Sequence, residues 1–171
     1  MRHACAGLVT TAALALAAAA GAAEAPGSSD LELVTGARTA LGDIGAFQRL
    51  NDEIVRRCHE PVTGAYADWR EEFRADLERA RAVEQTLRRR LPADPPPPAA
   101  DERLKAFVEV DGQALYSRCL RWSTLLIQRE SPLRADVAAR FALLRNHEAR
   151  LREILADDAK WQEWRTAGAL P

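Results

Sequence analysis

The chain has 171 residues, 24 basic against 25 acidic, and a formal net charge of −1. Both signs are mixed along its length, so the basic excess of a nucleic-acid binder is missing. Of the basic residues only Lys105 and Lys160 are lysine, which with the abundant alanine reads as the coding bias of a GC-rich genome.

Residues 1–22 read as an export signal. Arg2 and His3 form a short polar start, an apolar run follows from Ala6 to Ala20, and Ala20-Gly21-Ala22 supplies the small-x-small pattern of a cleavage site. The run is shorter than the roughly 20 residues of a bilayer span. Cys5 precedes the run, too early for lipoprotein processing, and the polar start holds no twin arginine. The expected localisation is a bacterial periplasm, or the extracellular medium, with no membrane span after cleavage. An uncleaved anchor is the competing reading.

Residues 23–30 are a polar entry, with Ser29 or Asp30 as a helix cap. A single helical domain is expected over 31–171. Its first helix carries Val34, Ala37, Leu41, Ile44, Phe47, Leu50, Ile54 and Cys58 at steps of three and four. Gly36, Gly42 and Gly45 each weaken it by roughly 1 kcal/mol, which predicts a frayed or bent half up to residue 45. Asp52–Arg56 and Glu53–Arg57 are acid-first pairs one turn apart.

Pro61 stops this helix. A second is predicted over 64–91, burying Tyr66, Trp69, Phe73, Leu77, Ala80, Val83 or Glu84, Leu87 and Leu91. It ends in Arg88-Arg89-Arg90, where cations meet the negative end of the helix dipole. Residues 92–100, with prolines at 95–98, form an extended linker.

The third helix spans 101–130, with Leu104, Phe107, Val108, Leu115, Cys119, Trp122 and Leu126 inward and a weak spot at Val110-Asp111-Gly112. Ser131-Pro132 then opens a fourth helix over 132–165, serine at the cap and proline in the first turn. Val137, Phe141, Leu144, Leu151, Ile154 and Leu155 form its inner face; Asp136–Arg140 and Glu148–Arg152 repeat the acid-first pairing. No strand pattern alternates anywhere. The fold class is therefore all-α, a bundle of about four helices.

Export leaves Cys58 and Cys119 as one candidate disulfide, worth about 4 kcal/mol by the chain-entropy argument. In a simple up-down square the first and third helices lie on a diagonal, too far apart for the roughly 7 Å between alpha carbons that a bridge tolerates. The bridge therefore predicts either a first helix whose end crosses obliquely over the third, the preferred arrangement, or a flattened bundle in which the two touch.

Chemistry is sparse. Arg56-Arg57-Cys58-His59 lacks the second cysteine of a haem attachment, and residues three before His59 and His147 are Arg56 and Leu144, not the glutamates of a di-iron bundle. A zinc site would need Cys58, Cys119, His59 and His147 to converge. A thiolate at Cys58, helped by Arg56, Arg57 and His59, competes with the disulfide. No Gly-x-Ser-x-Gly or phosphate loop is present. No cofactor and no metal is assigned. The expected function is a non-catalytic binding module with a protein or envelope partner, its contact surface the Trp161/Trp164 end or a groove between helices; in the competing reading Trp161 and Trp164 extend the inner face and pack over the end of the bundle. The alternative is an enzyme or a metal- or haem-dependent protein.

Overall fold

The computed structural model describes residues 28–91 and 102–170. The expected export signal, 1–22, and the expected proline-rich linker, 92–100, lie outside the described residues. The described residues are all-helical: α1 (Ser28–Cys58), α2 (Glu60–Glu72), α3 (Arg74–Arg90), α4 (Glu102–Val108), α5 (Gly112–Ile127), α6 (Pro132–Asn146), α7 (Glu148–Ala156) and α8 (Asp158–Thr166).

The eight helices are the predicted stretches, divided further. α1 is unbroken through its three glycines, against the expected frayed half. Val34, Ala37, Ala40, Ile44 and Phe47 are all buried, and Gly36 backs onto Leu143 of α6. Burial along this face outweighs glycine's loss of about 1 kcal/mol per site. The helix also starts earlier than expected. Ser28 to Asp30 are helical, and Asp30 is a buried carboxylate in the first turn rather than a solvated entry.

The predicted second helix starts early and is bent. The chain turns sharply at His59 (φ 52°) and re-enters helix at Glu60, with Pro61 in the first turn of α2, where a missing N–H costs nothing. The expected turn at Thr63-Gly64 is helical; Thr63 Oγ1 donates instead to the His59 carbonyl at 2.8 Å. The bend at Phe73 keeps its ladder, since Phe73 N donates to Trp69 O at 3.0 Å and Leu77 N to Phe73 O at 2.8 Å. The Phe73 ring stacks on Phe141 of α6 at 5.3 Å.

The weak spot in the third stretch is where α4 ends and α5 begins, and Gly112 takes φ 58°, a conformation that glycine adopts without strain. Ser131 caps α6 by accepting from Arg134 N at 3.3 Å, with Pro132 in the first turn as expected. Two further joints follow, at His147 and at Asp157, whose carboxylate caps α8 through Lys160 N at 3.0 Å.

The pairings fix the layout. α2 lies along α5, and α1 along α6; α3 also packs on α6. α1 touches both α4 and α5. The core has two centres. One surrounds Trp69, ringed by Phe47, Tyr66, Phe73 and Phe141. The other joins Val34, Val83, Leu87, Ile154, Trp161 and Trp164 at the opposite end of α1. The ion pairs depart partly from the helical register: Glu148–Arg152 forms, whereas Arg57 reaches Asp111 and Arg140 reaches Asp43 across the fold.

Candidate interaction surface

Cys58 and Cys119 are bonded to each other, with alpha carbons 5.7 Å apart. Neither is therefore a thiolate nucleophile or a zinc ligand in this state. The bridge ties the end of α1 to the middle of α5, and three further contacts reinforce it. The Arg57 guanidinium donates to the carbonyls of Phe107 (3.4 Å) and Val110 (3.3 Å) and pairs with Asp111, clasping the α4–α5 joint. Trp122 Nε1 donates to buried Asn51 Oδ1 at 2.9 Å. Phe107 meets the Trp122 ring edge-on at 5.6 Å. α5 is thus held rigidly along its inner face by Cys119, Trp122 and Leu126, all buried.

The outer shoulder of the same helix has no such cover among the described residues. Tyr116 is 50% exposed, Leu120 45% and Ile127 58%. Val108, expected inside, is 60% exposed at the end of the short α4, because Phe107 takes the single inward position there. Two hydroxyls bordering the α5 row are turned onto their own backbone. Ser117 Oγ donates to Gln113 O and Thr124 Oγ1 to Leu120 O, each at 2.9 Å. Their donors are satisfied without a partner, so covering this shoulder carries little desolvation penalty. α5 contains no acidic residue; its charges are Arg118 and Arg121.

The terminal tryptophans are not a surface. Trp161 is 0% and Trp164 5% exposed. Trp161 Nε1 donates to Ile154 O at 2.8 Å, the two rings meet edge-on at 5.2 Å, and Arg90 lies 6.0 Å over the Trp161 ring. The bend at Asp157 folds α8 back onto α3 and α7, burying both indoles. Docking through Trp161 and Trp164 is corrected accordingly: their payload is spent inside.

Of the basic triplet, Arg88 pairs with Glu84, and Arg90 with Asp158 and the Leu155 carbonyl at 3.0 Å. His59 and His147 are both exposed at helix joints. Among the described residues no cluster of His, Cys, Asp and Glu is arranged to hold a metal ion, and no helix is long and apolar enough to cross a membrane.

One further concavity, of about 360 Å³, lies between α1 and the α2–α3 bend, lined by Arg49, Asp52, Tyr66, Arg70, Arg81 and Glu84. Burial pushes the Tyr66 phenol well above its ordinary range, and the nearby Asp52 carboxylate adds to the shift. The hydroxyl donates to Gln48 O at 3.4 Å and Arg70 lies 5.8 Å over the ring. Tyr66 therefore keeps its proton and serves here as a hydrogen-bond donor. Glu84 pairs with Arg88 outside the lining, and the mixed charges of this open groove single out no ligand.

The disulfide pair was legible in the sequence; the exposed row was not. A signal existed. At about 100° per residue, the large apolar side chains of α5 from Leu125 round to Leu120 sweep about 220° of arc, wider than the roughly 100° a core-facing helix needs. No protein family, no curated protein and no solved structure matches this chain.

Proposed function

We propose that this chain is an exported bacterial protein of the periplasm, a single disulfide-stapled helical domain that acts by binding another protein and carries out no reaction of its own. The contact surface is the outer shoulder of α5. The observation that supports it is the row Tyr116, Leu120 and Ile127, half exposed on a helix locked on its other side by the bridge, the Asn51–Trp122 hydrogen bond and the Arg57 clasp. A rigid apolar row with pre-satisfied neighbours is what a binding surface requires, since little ordering entropy remains to be lost on association. Residues 1–22 act in this reading as the cleaved export signal, and oxidation of Cys58 with Cys119 is supported by the geometry of the pair. The oblique passage of the first predicted helix over the third belongs to the same reading; the contacts of α1 with both α4 and α5 support it.

The test is in vivo photo-crosslinking from the bacterial envelope. A photoreactive phenylalanine analogue at Tyr116 is expected to give discrete adducts that disappear when Leu120→Glu and Ile127→Glu are added. The same analogue at Arg89, on an exposed part of α3, is expected to give none. Adducts from position 89 and none from 116 would place the contact elsewhere.

A further inference from the structure

We propose that the occupant of the α5 shoulder is a second copy of this chain, seated antiparallel across a two-fold axis. The inference rests on the reading of that shoulder as the contact surface. Tyr116, Leu120, Ser123 and Ile127 fall within about 60° of arc at about 100° per residue. Arg118 and Arg121, the only charges of the helix, point more than about 100° away. Two such rows can meet without opposing like charges.

The row is also self-complementary. Tyr116 and Ile127 stand equally far from the point midway between Arg121 and Trp122, and so do Leu120 and Ser123. A two-fold axis perpendicular to the helices that passes between two residues sets each residue against a different residue of its copy. Centred on that midpoint, it places Leu120 against the small Ser123 and Tyr116 against Ile127. A parallel pairing would set Tyr116 on Tyr116 and leave facing serines unfilled.

The ends match as well. Antiparallel helices bring the positive end of one dipole beside the negative end of the other. Glu130 stands level with Gln113, an acceptor beside an amide donor. The row is only about 16 Å long, so the contact falls at the small end of specific interfaces, with dissociation in the range of roughly 10–100 µM.

Sedimentation equilibrium of the mature chain tests this. The wild type is expected to pass from monomer to dimer over that range, Arg121→Ala to do the same, and Leu120→Arg to stay monomeric with unchanged helicity and an intact disulfide. Orientation is read by short bifunctional thiol crosslinkers in otherwise wild-type protein. Thr124→Cys is expected to crosslink to its copy, and Gln113→Cys not to, because the two copies of each residue are offset by about 8 Å and about 26 Å along the axis. Equal crosslinking at both positions would overturn the antiparallel arrangement. A wild type that is monomeric throughout would overturn the dimer. If Tyr116 then still gives adducts of another mass, the shoulder remains a contact surface for a different protein; binding of the wild type but not Leu120→Arg to phosphatidylglycerol vesicles would assign it to a lipid surface instead. Absence of every one of these signals removes both readings.

Discussion

Trp122 and Asn51 are 71 positions apart in the chain and meet in the interior, indole Nε1 donating to amide Oδ1 at 2.9 Å. Asn51 is completely buried, and its own Nδ2 donates to Phe47 O at 2.8 Å. One side chain thereby satisfies a donor on α5 and ties it to the backbone of α1. Asn51→Leu orphans the indole, and the expected loss is about 1–3 kcal/mol. In that background Trp122→Phe should cost less than it does in the wild type, because its donor is already unmet. A urea-denaturation double-mutant cycle measures the coupling; strictly additive losses would mean that the pair carries no joint energy.

The buried Asp30 carboxylate accepts from Arg150 Nε at 2.9 Å and Nη2 at 2.6 Å, and pairs with Lys160. The Lys160 hydrogen bond is the main cause holding its pKa below the usual carboxylate range, with Arg150 assisting against the desolvation that opposes it. A depressed native pKa adds stability that is present above the unfolded value of about 3.9 and is lost as pH falls through the native value. Asp30→Asn should therefore lower the melting temperature clearly at pH 7, and the gap from the wild type should close on acidification below about pH 4. Thermal melts across that window check it; an undiminished gap at the acid end would assign the loss to packing.

The bridge closes a separation of 61 residues. Cys58→Ala with Cys119→Ala should cost about 4 kcal/mol, lowering the denaturant midpoint without changing the helical content at zero denaturant. Loss of the far-UV helix signal at zero denaturant would show instead that the fold depends on the bridge outright.

Trp161→Ala removes a fully buried indole and should cost about 3–5 kcal/mol. Ile127→Ala, on the exposed row, should stay within about 0.5 kcal/mol in the monomer. Chemical denaturation at low protein concentration ranks the two; the opposite order would return Trp161 to the surface and Ile127 to the core.

Where the chain's own chemistry set the answer, it could be read directly. The apolar spacing of α1 placed Val34, Ile44, Leu50 and Ile54 inside, Ser131-Pro132 marked the start of α6, and Gly112 marked the joint before α5. The bends at Phe73 and His147 carried no proline or glycine to announce them. They arise where aromatic and aliphatic side chains on facing helices must be brought into register, a property of the partner helix as much as of the bent one. Asp157 was different: an acid just ahead of an apolar stretch is a legible cap, passed over within a helix predicted to run through it.

Helical character, the inward faces of α1 and α6 and the pairing of Cys58 with Cys119 could all be read from the order of residues alone, because apolar periodicity is local and two cysteines allow one pairing. Which aromatic and apolar residues are left over follows from how the helices pack on one another. Trp161 and Trp164 disappear beneath the end of the body, whereas Tyr116, Leu120 and Ile127 stay outside. The physical reason is that burial is settled by which neighbouring helix arrives on each face, and a single helix carries the area to be covered without naming what covers it.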